Sequence, residues 1–128
     1  MSIALDAVGI VAKNLGESLR FYRVLGLAIP EVDALEDHVE FTLPNGLRFM
    51  WDTVDLIKRL DPNWVEPVGH RMALAFLCGS PTEVDSTFAK LVEAGFKGKA
   101  EPFDAFWGQR YATVYDPDGN GVDLFAPL

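Results

Sequence analysis

Apolar and polar positions along the chain fall into two similar runs. Each opens with an extended apolar segment that leads straight into a capped helix. In the first run Ala7-Val8-Gly9-Ile10-Val11-Ala12 reads as a strand. Asn14 follows as the N-cap, with Glu17 three residues later to reach back to the free amides. Leu15, Leu19, Tyr22 and Leu25 recur at helical spacing, and Gly26 can stop the helix in a left-handed turn. In the second run Met72-Ala73-Leu74-Ala75-Phe76-Leu77 is the strand. Ser80-Pro81-Thr82-Glu83 is a capping box with proline at the first helical position. Val84, Phe88, Leu91 and Val92 form its buried stripe, and Gly95 ends it.

Both runs then continue into extended segments joined by a turn. The first gives His38 to Leu43, the turn Pro44-Asn45-Gly46, and Leu47 to Trp51. The second gives Arg110 to Tyr115, the turn Asp116-Pro117-Asp118-Gly119-Asn120, and Gly121 to Phe125. Asn-Gly and Asp-Gly at these points supply the positive φ angles of tight hairpins. Corresponding features lie roughly 70 residues apart, the spacing of an internal duplication. The pattern predicts an α+β fold of two tandem βαβββ modules. Between them a short amphipathic stretch around Val54, Ile57 and Leu60 gives way to Pro62, Pro67 and Gly69, which mark a linker.

Composition narrows the class. The chain has 128 residues, 49% hydrophobic and 23% charged, which fits one domain over residues 1–128. Its first module spans about 1–52, the linker about 53–69 and the second module about 70–128. Nineteen acidic against eleven basic side chains give a net charge of -8. Such a charge repels phosphate backbones and anionic lipid, so neither nucleic acid nor membrane is an expected partner. A cationic or amphipathic small molecule is the more natural guest. The N-terminal Met1-Ser2-Ile3-Ala4-Leu5-Asp6 has no secretory pattern, and no apolar run approaches the ~20 residues a bilayer requires. The expected address is cytoplasmic. Cys78 alone cannot form an internal disulfide; it ends an apolar strand and reads as inert packing.

Two stretches carry a family resemblance. Val8-Gly9-Ile10 leads into Ser18-Leu19-Arg20-Phe21-Tyr22 and Leu25-Gly26-Leu27, and Trp107-Gly108-Gln109-Arg110 runs into Asp116-Pro117-Asp118-Gly119-Asn120. In these and in the duplicated pattern the chain resembles the vicinal oxygen chelate superfamily. That superfamily holds glyoxalase I, extradiol dioxygenases, fosfomycin-modifying enzymes and bleomycin- or mitomycin-binding resistance proteins. The resemblance implies mixed sheets curled around a groove, helices outside, and a homodimer. Fold alone does not give function in a superfamily with many activities.

The resemblance also implies where a metal would sit. Its metal-dependent members place a histidine early in the first strand of a module and a glutamate on the last. The matching positions here hold Ala7 and Met50 in the first module, and Ala73 and Asp123 in the second. Alanine and methionine offer nothing to a hard or borderline ion, and Asp123 alone cannot supply the usual three protein ligands. The expectation is therefore no metal and no cofactor. One divalent ion held by Asp123 with His70 is the alternative. His70 lies three residues before Ala73, so strict alternation turns it to the opposite face unless a bulge follows Gly69. It reads as a strand-end histidine bonded to a neighbour or to water. His38, in the acidic run Glu36-Asp37-His38, reads as solvated loop.

Period-two alternation sorts the strand residues. Val39, Phe41, Leu43, Leu47, Phe49 and Trp51 suit the helix side, as do Ala112, Val114, Val122 and Leu124. That leaves Glu40, Thr42, Arg48, Met50, Tyr111, Thr113, Tyr115, Asp123 and Phe125 toward the groove. Phe103, Phe106 and Trp107 cluster in the loop before the penultimate strand, beside Glu101 and Asp104. They suit either a planar, cationic ligand or closure of the domain end or a dimer contact. Trp64 suits a lid or a subunit contact. Arg110 reads as a bidentate partner for an acidic side chain, and Asp116 and Asp118 as turn formers.

Two functions follow from these residues. The first is metal-free binding of a drug-like aromatic or cationic molecule by Glu40, Arg48, Met50, Phe103, Trp107, Tyr111 and Asp123. The second is an enzyme, a lyase, isomerase or dioxygenase-like catalyst on a small metabolite, with Asp123 as base or as residual metal ligand and Glu40 or His70 assisting. A regulatory or interaction domain is the third reading.

Overall fold

The computed structural model describes residues 2–128. In chain order it forms β1 (Ala7–Ala12), α1 (Leu15–Leu25), β2 (His38–Thr42), β3 (Arg48–Thr53), α2 (Val54–Leu60), β4 (Ala73–Leu77), α3 (Pro81–Glu93), β5 (Gly98–Ala105), β6 (Gln109–Tyr115) and β7 (Gly121–Pro127). The strands make two mixed sheets, ordered β1-β3-β2 and β4-β7-β6-β5. In each sheet the opening strand runs parallel to the closing one, β1 to β3 and β4 to β7, and every other pair is antiparallel. This is the α+β arrangement the sequence predicts.

The caps explain where the helices start. The Asn14 side chain accepts from the Glu17 amide at 3.0 Å. Ser80 Oγ accepts from the Glu83 amide at 3.2 Å, and Glu83 Oε1 in return accepts from the Gly79 amide at 2.8 Å. Each arrangement satisfies donors that a helix start leaves free. Gly26 ends α1 at φ 129°, where its amide reaches back to the carbonyls of Tyr22 and Arg23.

One predicted strand is missing. The first half has two strands after its helix where the second has three, because the segment after Gly26 stays irregular up to β2. Pro30 brings no amide to a ladder. Arg23 also occupies the segment's acceptors, donating from Nε to the Ile29 carbonyl at 2.9 Å and from Nη2 to the Pro30 carbonyl at 2.6 Å. A second difference concerns Phe103, which lies within β5 and not in the following loop.

The buried faces are the ones that alternation selects. Ile10, Val39, Phe49 and Trp51 are buried on the first sheet, and Ala112, Val114, Val122 and Leu124 on the second. They pack with Leu19, Phe21 and Tyr22 of α1 and Val84 and Leu91 of α3 in one continuous core. The two halves share that core directly. Phe21 meets Phe96 edge-on at 5.0 Å, and Phe49 meets Phe76 at 6.0 Å. The Tyr22 hydroxyl donates to buried Asp116 Oδ2 at 2.7 Å. Asp116 also accepts from the Asp118 and Asn120 amides and from Asn120 Nδ2. It is thus both the turn former expected and a joint between the halves. Burial, then the Asp116 charge, pushes the Tyr22 phenol far above its ordinary pKa, so it stays a neutral donor.

Candidate functional site

The unburied face of the second sheet is built on β5, β6 and β7. Phe103 stands opposite Tyr111, and Tyr111 opposite Phe125, so three rings form a row across three strands. Tyr111 and Phe125 stack with centroids 6.4 Å apart. Trp107, in the turn between β5 and β6, meets Tyr111 edge-on at 5.3 Å and Phe103 at 6.2 Å. Its indole nitrogen donates to Gln109 Oε1 at 2.8 Å, which fixes the ring. These rings are not spent on the core: Phe103 is 41% exposed, Trp107 50% and Phe106 97%. Exposed rings in mutual contact are a hydrophobic surface with a specific shape.

Asp123 sits beside that row. Its Oδ2 accepts from the Tyr111 hydroxyl at 2.6 Å, and its Oδ1 from Thr113 Oγ1 at 2.8 Å. Thr113 is directly across the ladder, and Tyr111 reaches diagonally. Burial, then the bond to Asp123, pushes the Tyr111 phenol up to about 12. Tyr111 therefore remains a donor through the physiological range, and Asp123 is the acceptor of both hydroxyls.

The unburied face of the first sheet carries a ladder of charges. Glu40, Arg48 and Met50 lie on it, as alternation predicts. Glu40 accepts from Arg48 Nη1 at 2.5 Å, and Arg48 also pairs with Asp6 at 2.8 Å. Arg48 approaches Met50 sulfur at 3.8 Å. Sequence reasoning missed His38 and Asp52 here. His38 is in strand β2, not in a solvated loop; it faces Asp52 on β3 because the same alternation that selects Glu40 extends two residues back. Its Nδ1 lies 2.5 Å from Asp52 and its Nε2 2.7 Å from Glu40. Only the imidazolium donates from both nitrogens. Accordingly the bond to Asp52, then that to Glu40, raises the His38 pKa, while His38 and then Arg48 lower that of Glu40.

His70 also departs from the alternation argument. Regular strand begins only at Ala73, so strict alternation does not govern it. Its ring lies 3.2 Å from the position a Cβ on Gly121 would take, and edge-on to Tyr115 at 6.2 Å. That is the face Gly121 shares with Asp123 and Phe125. Arg110 stands outside the site. Its Nε and Nη2 grip Asp85 of α3 at 2.9 and 3.3 Å, and its Nη1 grips Asp104 of β5 at 3.1 Å.

The family positions do not fit a metal. Ala7 and Ala73 have no donor atom, Met50 offers a thioether, and both Asp123 oxygens already accept hydroxyl bonds. Among the described residues no three His, Cys, Asp or Glu side chains converge. Nor is any helix among them long and apolar enough to cross a membrane.

Comparison with known proteins agrees with the fold. The chain is similar to the structure of a glyoxalase/bleomycin resistance protein/dioxygenase family enzyme from Burkholderia phytofirmans PsJN. They share 16% identity, covering 98% of this chain and all of that one, with a TM-score of 0.84. A glyoxalase-related enzyme from Fulvimarina pelagi is 22% identical over 96% of this chain and 87% of that one, with a TM-score of 0.83. A glyoxalase/bleomycin resistance protein/dioxygenase from Nocardioides is 23% identical over 100% and 85%, with a TM-score of 0.77. No curated protein matches. The model of the Glyoxalase/Bleomycin resistance protein/Dioxygenase superfamily matches residues 4–124. The duplicated pattern and the two mixed sheets thus have one explanation: the chain belongs to that superfamily.

Proposed function

We propose that the protein binds a small aromatic cation without a metal, on the ring row of Phe103, Trp107 and Tyr111 beside Asp123. The observation that carries this reading is the pairing of exposed, mutually packed rings with a carboxylate fixed by two hydroxyls. Rings of this kind stack on a flat ligand and attract positive charge. Glu40, Arg48 and Met50 stand on the first sheet, where they bond among themselves and to His38 and Asp6, and none of these bonds reaches the ring row. The family's name covers drug-resistance proteins as well as enzymes, so binding alone is within its range. As a general base Asp123 is poorly set up, because each of its oxygens is already held by a hydroxyl.

The same reading includes a twofold homodimer in the cytoplasm. Leu77 of β4 is 69% exposed, and Phe106 projects from the β5–β6 turn. A second copy is the commonest way to cover such surfaces. Light scattering at micromolar concentration reads this directly, and a clean monomer overturns it.

Dye polarisation with a planar acridinium cation tests the binding. Trp107→Ala should weaken the complex about tenfold through lost ring contact. Because Trp107 is half exposed, the same change should leave stability within about 0.5 kcal/mol. Binding that is never saturable, or that survives Trp107→Ala unchanged, refutes the site. Stoichiometric transition metal in protein purified without supplementation refutes the metal-free part.

A further inference from the structure

We propose that the seam between the two sheets is a separate binding site, for a small apolar molecule bearing a primary ammonium group. β1 and β4 are the facing edges of different sheets, and they exchange no ladder with each other. Between them lies a cavity of about 260 Å³. Val8, Ile10 and Leu74 give it apolar walls, and the Trp64 indole, from the stretch that links α2 to β4, closes one side. None of Phe103, Trp107, Tyr111 or Asp123 lines it, so it is independent of the ring row. A volume at the low end for ligand pockets suits a guest on the order of ten non-hydrogen atoms.

The polar end of the cavity is specific about charge. Asp118 lines it. Its Oδ1 accepts from the Lys13 amide at 3.0 Å, while its Oδ2 is enclosed with no donor in reach. A buried carboxylate oxygen without a donor is costly, and nearby positive charge offsets that cost. The nearby cation does not fill that role, because the Lys13 ammonium is paired with Glu66. Lys58 lines an adjoining hollow, not this cavity. Behind Asp118 stands the Asp116 carboxylate, whose donors from Tyr22 and Asn120 are neutral. The cavity lining therefore sets Asp118 and Glu66 against Lys13, with Asp116 behind Asp118. Burial first, and then the Asp116 charge among the raising causes, lifts the Asp118 pKa, as expected of a carboxylate short of positive charge. An ammonium supplies the positive charge that this end lacks, and the Trp64 face adds attraction for a cation. A carboxylate or phosphate head meets the same surplus as repulsion.

Amide chemical-shift mapping with phenethylammonium tests the site, with phenethyl alcohol and 3-phenylpropionate as isosteric controls. The ammonium should give saturable shifts at Val8 to Val11, Met72 to Leu74 and Asp118 to Gly121. It should bind about tenfold more tightly than the alcohol, as charge-assisted bonds exceed neutral ones, and the acid should not bind. Asp118→Asn keeps the acceptor for the Lys13 amide and should erase the preference for ammonium over alcohol read at the seam amides. Trp64→Ala, at a position outside the core, should weaken both. Shifts confined to Tyr111, Thr113 and Asp123, no saturation of the seam amides at millimolar ligand, or an ammonium preference at those amides that survives Asp118→Asn would each overturn the proposal. The acridinium experiment at Trp107 is untouched by any of these outcomes.

Discussion

Replacing Tyr22 with phenylalanine isolates the joint between the two halves. The substitution keeps the ring, which packs edge-on against Phe21, Phe49 and Trp51, and removes only the hydroxyl that reaches Asp116 at 2.7 Å. A bond to a buried charged acceptor is worth about 1.5–3 kcal/mol. Asp116 keeps its two backbone donors and the Asn120 side chain, so it is not left bare, and the loss belongs at the lower end. Unfolding entropy of roughly 2.1 cal/mol/K per residue gives about 0.27 kcal/mol/K for a chain of this length. A loss of about 1.5 kcal/mol then lowers the melting midpoint by about 6 °C. Circular dichroism melts and urea titrations should agree, with an unchanged urea slope because the surface exposed on unfolding is the same. A fall of less than about 1 °C would mean that Asn120 and the hairpin amides satisfy Asp116 by themselves. The contact between the halves would then be purely apolar.

The remaining predictions address one glycine and one histidine. A Cβ on Gly98 would come within 2.7 Å of Phe88 Cζ, so Gly98→Ala should destabilise by about 1–3 kcal/mol through overpacking of α3 against β5; a neutral result in urea unfolding would show that Phe88 swings aside freely. The ring protons of His38 should titrate by NMR above the ordinary value of about 6.5, because Asp52 and Glu40 favour its charged form. A raised folded-state pKa contributes stability that is fully present below the unfolded value and lost as pH climbs through the folded one. His38→Gln should therefore flatten the stability profile above about pH 6.5, modestly since the site is open to solvent; an unaltered profile would show that the ladder does not engage His38 in solution.

Legibility in the sequence followed the physics of each signal. Both long helices could be read because their caps and apolar stripes are local, and Asn14 and Ser80 act as their positions predict. Alternation sorted the faces of β2, β3, β6 and β7 because each of these strands buries one side only. It failed at His70, where the chain is not yet a strand, and it was not carried back to His38, where the acidic neighbours Glu36 and Asp37 suggested loop. The missing strand after Gly26 depends on Arg23 capturing two carbonyls, a contact between a helix and a later segment that periodicity cannot express. The Asp123 cluster was legible only as separate residues. Its hydroxyl bonds depend on the register of β6 against β7, which hairpin length sets and spacing in one strand does not.

Three aspartates within eight residues show how surroundings, not residue type, divide structural from functional roles. Asp116 is buried and receives four donors, of which two are backbone amides held by the turn itself. Freeing it for any other partner would cost the hairpin and the joint with Tyr22 together. Asp118 receives one amide, keeps one enclosed oxygen without a donor, and borders the seam. Asp123 is half-buried and receives only the hydroxyls of Tyr111 and Thr113. A hydroxyl rotates its proton between acceptors, whereas an amide in a turn cannot turn away without moving the backbone. Asp123 is therefore the carboxylate whose partners can be reassigned at least cost when something arrives on the ring row. A ligand cation there would compete with two movable donors, not with the fold.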